Sequence, residues 1–350
     1  MTKYILFASF MVLLFSGTDC RKNPIMPPDN TPDTTSHNWM FQTFVLGVGN
    51  SSMLNDVAII NDTLVYAVGE IYLKDSTGQL DPNAYNFARW DGKKWDLMRI
   101  WFYTVCGQQS RTSYPASAII AFSGSDVWIA MDGDQIARWN GTSQTSTTCL
   151  PVSFSVKKIW GENSNSIYAV GDGGNILHYA DDTWTKFSSG TTNQLWDVWG
   201  VFNPSTNREE IYCAALDPNL QHNTILRITD QTTIERLQWD STISVGSVWT
   251  KDGSLLYACG EKLYRNKSGT WVEDTITTDG YFFAGIVRGV ADNDLFVVGF
   301  NSVAHYNGKS WKVYPELALG ADYYRVAMTK STVVIVGWSE KGAIAIIGNR

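Results

Sequence analysis

The chain has 350 residues and carries 34 Asp and Glu against 27 Lys and Arg, a formal net charge of −7. That balance, with no basic run interleaved with aromatics, excludes a nucleic-acid binder, because neutralising phosphates requires clustered Lys and Arg. Aromatics make up 13% and charged residues 17% of the chain, which suits a folded, aromatic-rich β protein and excludes a disordered one.

In chain order, Lys3 is followed by an apolar run from Tyr4 to Phe15 (YILFASFMVLLF). The run is too short to span a bilayer as a helix but has the length of a signal-peptide core. Next come FSGTDC, ending at Cys20, and the proline-bearing stretch RKNPIMPPDNTPDTTS. A Cys so placed resembles the lipobox of bacterial lipoproteins, in which the thiol is acylated and the Cys becomes the first mature residue. Gly17 fits that pattern, whereas Asp19 departs from the usual small residue. The expectation is a signal peptide over 1–20 with lipidation at Cys20, an extended tether over 21–38, and a single domain over 39–350. The membrane is then touched only through the anchor. The alternative is cleavage near Ser16 or Thr18 and a freely secreted or periplasmic protein.

From residue 39 onward the chain repeats itself, and internal repeats settle a fold early. LVYAVGEIYLKDSTGQLDPNAYNFARWDGKKW begins at Leu64 and DVWIAMDGDQIARWNG at Asp126. SIYAVGDGGNILHYADDTW begins at Ser166, LLYACGEKLYRNKSGTW at Leu255 and DLFVVGFNSVAHYNGKSW at Asp294. Two degenerate copies start at Ile211 and Val333. The marker after each apolar strand falls at Gly69, Asp132, Gly171, Ala215, Gly260, Gly299 and Gly337. After the first long step its spacing is that of a four-stranded propeller blade, about 40 residues.

Each unit reads as a first strand of small and β-branched residues, a nearly all-apolar second strand, and a third strand closing on an aromatic. An Asp-Gly or Asn-Gly hairpin then leads to an outer strand opening on Trp. Helical periodicity is absent. The last unit, from Tyr324, lacks an outer strand, while WMFQTFVLG at 39–47 is a strand without a blade. Inserting one into the other removes the exposed edges. The expected fold is all-β, a seven-bladed propeller of four-stranded antiparallel blades closed by the N-terminal strand; six or eight blades are the alternatives, since the fourth and seventh units are degenerate.

The pattern IWGENSNSIYAVGDGGNILHY and the following SSGTT, within residues 159–192, resemble the propeller repeats of exported bacterial proteins of the BNR and photosystem-assembly-factor kind. The resemblance covers about 300 residues and implies the architecture without specifying an activity. WDGKKW and YNGKSW keep the Asp/Asn-Gly and Trp of the sialidase Asp box but lack its upstream Ser.

Several constellations invite a chemical reading. GDGGN at 171–175 lacks the GxGxxG spacing and the Lys of a phosphate loop, and it recurs between strands 2 and 3, so it reads as a turn. Asp181 and Asp182 fall at the next hairpin, where their side chains are expected to cap backbone N–H groups. Asp56 and Asp197 hold equivalent first-strand positions and could face the channel. A glycosidase needs two carboxylates converging at about 5–9.5 Å, yet Gly246-Ser247 and Lys157-Lys158 occupy the same positions elsewhere, so no ring of acids is expected. Arg99, Arg111, Arg208, Arg288 and Arg325 show no spacing that marks a convergent triad. GxSxG is absent. His37, His178, His222 and His305 are scattered, with His178 and His305 at one repeat position, so they read as scaffold. No metal site, no cofactor and no catalytic residue is expected.

The repeat is interrupted at 71–86, 102–116 and 216–223, all on the face that carries the strand 2–3 turns and the blade connections. Binding residues on rigid scaffolds concentrate in such loops. FYTVCGQQSRTSYPA at 102–116 supplies Tyr103, Gln108, Gln109, Arg111 and Tyr114, planar donors and aromatic faces suited to a peptide or glycan. Cys106 and Cys149, at the ends of consecutive outer strands, are placed to form a disulfide bracing this loop. Cys213 and Cys259, in neighbouring second strands, read as small buried hydrophobes. The expectation is an envelope-located monomer that binds or assembles with a protein or glycan of the cell envelope. The rival reading is a carbohydrate-active hydrolase, lyase or transferase with its site at the channel mouth.

Overall fold

The computed structural model describes residues 35–217, 219, 221–229, 233–276 and 282–350. The segment 1–34, with the expected signal peptide, Cys20 and most of the tether, lies outside the described residues. Apart from two three-residue 3-10 turns, every regular element among the described residues is a β-strand.

The strands form seven four-stranded antiparallel blades. The first strands are Met53–Asn61, Ala116–Ser123, Val156–Asn163, Gln194–Asn203, Ser247–Thr250, Ile286–Ala291 and Ala321–Met328. They lie innermost, and in blades 1 to 6 the sheet runs outward in sequence order. Blade 7 takes its outer strand from the N-terminus. Met40–Leu46 pairs antiparallel with Gly342–Asn349, in register from Met40 opposite Asn349 to Leu46 opposite Ala343. A single bridge between Met53 and Trp338 links blades 7 and 1.

The all-apolar second strands follow from this ring. In Leu64–Ile71, Val65 and Ala67 pack with Val334, Val336 and Ala345 of blade 7. Their neighbours Tyr66 and Val68 pack with Ile119, Val127 and Ile129 of blade 2. Ile167 and Ala169 face blade 2 while Tyr168 and Val170 face blade 4. Because side chains alternate across a strand, a strand sandwiched between two blades must be apolar at every position. Seven such clusters, one per blade interface, form the core among the described residues.

The glycine that marks the repeat has a steric cause. A Cβ at Gly69, Gly171, Gly260, Gly299 or Gly337 would stand 2.0–2.2 Å from the carbonyl oxygen of Met53, Ser155, Ser244, Phe283 or Asp322 respectively. Each of these oxygens belongs to the segment entering the innermost strand, so only glycine admits the approach.

Among the described residues the outer hairpins show two kinds of turn. Asp91, Asn140 and Asn307 accept backbone N–H groups at 2.8–3.0 Å, and the following Gly92, Gly141 and Gly308 have φ of 91–92°. In blade 3, Asp181 and Asp182 both adopt positive φ, 48° and 59°, the conformation of a type I′ turn. Contrary to the sequence expectation, Asp182 caps no backbone group; it accepts the Tyr179 hydroxyl at 2.9 Å.

Candidate binding site at the channel mouth

The innermost strands send charged side chains into the channel, and their pairing follows the ring. Asp56 of blade 1 accepts Ile119 N–H of blade 2 at 2.9 Å and the Lys158 ammonium of blade 3 at 2.6 and 2.7 Å. Three blades on, Asp197 of blade 4 accepts Val248 N–H at 3.1 Å and the Ser247 hydroxyl at 2.9 Å, both from blade 5. The same Asp197 takes a two-pronged contact from Arg288 of blade 6 at 2.6 and 2.9 Å. All four charged side chains are buried. Asp56 and Asp197 are thus each bonded directly to a different cation, Lys158 and Arg288.

Burial opposes ionisation of Asp197, but Arg288, Arg325 and Lys158 together hold its carboxyl below the usual range. Burial lowers the pKa of Lys158, Asp56 works against that, and Arg325 and Arg288 push it further down. A fifth channel residue, Arg325 of blade 7, donates only to backbone carbonyls, those of Tyr324 and Trp196, both at 2.9 Å.

Above these pairs, where the first strands begin, a cavity of about 440 Å³ opens. Trp196, Phe283, Tyr323 and Tyr324 form its aromatic wall, Met53, Leu216 and Ile286 add apolar surface, and Gly246, Gly285 and Gly299 bring backbone close. Arg325 and the ion-paired Lys157 and Asp132, 3.1 Å apart, supply its charge, with Asp322 beside them. Burial pushes the Asp322 carboxyl up, toward its neutral form. Asp172, the acid of GDGGN, stands 4.0 Å from Lys157 on the same rim and accepts the Gln194 amide. The GDGGN segment itself is a 3-10 turn with Gly173 and Gly174 at positive φ. A Cβ on Gly174 would lie 2.0 Å from the Thr191 carbonyl oxygen, so the glycine serves a close approach between loops.

The 102–116 interruption lies elsewhere. Phe102–Tyr103 and Arg111–Thr112 form a small two-stranded hairpin, and none of its five singled-out side chains lines the cavity. Two glutamines bind it to the outer half of blade 2. Gln135 and Gln144 exchange hydrogen bonds of 2.7–2.9 Å with the backbone of Tyr103 and Trp101. Cys106 sits in this hairpin, not at the end of an outer strand, and is joined by a disulfide to Cys149 at the end of blade 2's outer strand Gln144–Cys149. Arg111 stacks 4.4 Å over the Tyr103 ring while a second arginine contact donates to the Tyr103 hydroxyl at 2.8 Å. Gln108 and Gln109 are exposed at the tip, and Tyr114 is half-buried at the base, its carbonyl accepting from Asn86.

The described residues of the other interruptions also bond internally. Arg99 reaches Asp81 at 2.6 Å and lies 4.0 Å over Tyr85 in the 71–86 insertion, and Asp217 accepts the His222 ring at 3.0 Å in the 216–223 loop. Cys213 and Cys259 are buried, unbridged thiols, and burial raises both well above the ordinary value.

One cluster that sequence reading missed joins the two ends of the domain. His37 Nδ1 and His305 Nδ1 are 2.8 Å apart, with one donating and the other accepting. His305 contacts Asp294 at 2.8 Å, and Asp294 also accepts from Arg350. Burial, His305 and Lys312 lower His37 to about 4. The shared repeat position of His178 and His305 was a signal of scaffold, and His178 is indeed stacked 4.2 Å from Tyr168. Nothing in the sequence placed His37, 268 residues away from His305, beside it.

No family model matches the sequence, and neither does any curated protein. Solved structures do. A structure of YCF48 bound to a D1 peptide aligns with a TM-score of 0.65 at 13% identity, over 91% of this chain and 100% of that one. A catalytically inactive virginiamycin B lyase from Staphylococcus aureus, with quinupristin, aligns with a TM-score of 0.62 at 13% identity, over 89% and 99%. The WD40 β-propeller domain of Doa1 aligns with a TM-score of 0.60 at 14% identity, over 90% and 98%. At such identities the likeness is one of fold: the chain is a seven-bladed β-propeller.

Proposed function

We propose that this chain is an exported, lipid-anchored β-propeller that serves as a binding or assembly module at the cell envelope, recognising a peptide or glycan on its insertion-bearing face. The observation that carries the reading is the mouth cavity itself. It is a concave aromatic site with few polar groups, the usual make-up of a ligand pocket. The two deepest acids beneath it are already committed to Lys158 and Arg288, which favours binding over acid–base chemistry. The peptide-bound YCF48 structure is a propeller precedent for this kind of partner.

Anchoring rests on the sequence alone, through the apolar run and Cys20. Two experiments test the proposal. Peptide and glycan arrays probed with the chain should capture a ligand class that competes at the mouth, and blank arrays of both kinds would overturn the binding reading. Expression of Cys20→Ala beside the native sequence should move the protein from the membrane fraction to the soluble one. An unchanged distribution would overturn the anchor.

A further inference from the structure

The channel holds three buried cations, Lys158, Arg288 and Arg325, against two buried acids, Asp56 and Asp197. Every oxygen of the two acids is directed at Lys158 or at Arg288 and its blade-5 partners. Arg325, a residue only 7% exposed, is thus left with no direct carboxylate contact among the described residues and an Nε that donates to nothing. Asp197 acts on Arg325 only through space, and a buried guanidinium without a direct anionic contact is costly, because carbonyl dipoles repay only part of its lost hydration. Trp196, whose carbonyl accepts from Arg325, also has a buried Nε1 that lacks an acceptor. Other buried donors without a partner, such as Arg89 Nε and Trp249 Nε1, are scattered through the blades, whereas these two belong to residues that line the mouth cavity.

We infer that the mouth cavity is a carboxylate-binding site, in which Arg325, assisted by the Trp196 indole N–H, takes the carboxylate of a peptide whose apolar portion packs on Trp196, Phe283, Tyr323 and Tyr324. Arginine's planar fork suits a carboxylate better than a point charge does. Lys157, neutralised by Asp132 on the rim, is a bystander, and Asp322 is the acid the ligand must avoid. The carboxylate can come from a peptide C-terminus or from an Asp or Glu side chain. This inference rests on the binding-module reading and names the subsite and ligand chemistry within it.

Titration calorimetry on the full-length chain tests it with matched probes. These are the tripeptide acetyl-Ala-Ala-Phe as free acid and as C-terminal amide, and acetyl-Phe-Glu-Ala-amide against its Gln counterpart. At least one acid should bind roughly tenfold to a hundredfold more tightly than its neutral twin, the range of one charge-assisted contact, and which pair discriminates identifies the source. Arg325→Gln should erase the preference and Arg325→Lys should retain part of it. The acid–amide comparison needs only the native chain, so it stands even if a variant fails to fold. Equal binding of acids and amides, no binding by any acid, or an acid preference untouched in folded Arg325→Gln would overturn the inference. If a peptide array still captures ligands regardless of their acidic groups, the carboxylate subsite falls while the binding module stands; if it captures none, both fall.

Discussion

The channel mouth and the 102–112 hairpin are both irregular, but they differ in what remains unsatisfied. In the hairpin the arginine, the backbone and the cysteine have found partners inside the molecule, while Gln108 and Gln109 stand in solvent. Arg111 is spent on Tyr103, the backbone on Gln135 and Gln144, and Cys106 on Cys149. At the mouth, Arg325 Nε and Trp196 Nε1 have found none. A long insertion signals tolerance to change, whereas an unsatisfied buried donor signals a missing partner. Exposure alone therefore points to the hairpin; unmet valence, which also occurs at Arg99 Nε and Trp249 Nε1 away from the mouth, points to the cavity only because two such donors belong to residues that line it.

The contrast can be broken most forcefully through the ion pairs under the mouth. Arg288→Met leaves Asp197 charged and buried without its cation, and unfolding free energy should fall by about 3–5 kcal/mol in urea titration. A loss below about 1 kcal/mol would mean that solvent reaches the pair. Cys106→Ser with Cys149→Ser comes next. It opens a loop closed across a separation of 43 residues, and about 2–4 kcal/mol should be lost. Binding at the mouth should persist, and its disappearance would mean that the two regions form one site.

A third test uses the His37–His305 contact as a pH gauge distant from both. His37 falls from an ordinary 6.5 to about 4 in the folded chain, and His305 is also lowered. The unfolded chain therefore takes up protons first. Stability is full above about pH 6.5 and declines as pH falls toward about 4, and the lowered carboxyl of Asp294 adds to the loss at the acid end. A melting-temperature series should show this slope, and His37→Asn should flatten it. The smallest effect belongs to Arg111→Ala, whose exposed stacking on Tyr103 should be worth about 0.5–1 kcal/mol, with no change at the mouth. If it abolished ligand capture, the hairpin and not the cavity would be the recognition surface.

Much of the architecture was legible in the residues because a propeller repeats a local rule. The alternation of Val65-Tyr66-Ala67-Val68 serves two neighbouring blades at once, and five of the seven copies follow it with a Gly whose Cβ would meet a carbonyl. The unpaired WMFQTFVLG and the truncated last unit similarly implied their own closure. These are short-range consequences of strand pleat and steric exclusion, and a single sequence carries them in full.

The site was legible only in part. Asp56 and Asp197 could be placed on equivalent innermost strands, but their cations come from two blades away, Lys158 at a separation of 102 residues and Arg288 at 91. No spacing rule announces such a contact, because the ring, not the chain, sets which strands face across the channel. Arg325 was one of five arginines with nothing to distinguish it; only packing showed that the two acids are taken and that the third cation is left over. The sequence by itself determined the repeat, its closure and the buried faces, since those depend on neighbours along the chain and on the pleat. The charge balance of the channel, the place of the cavity and the meeting of His37 with His305 were decided by tertiary structure, since they depend on which side chains the closed ring leaves without a partner.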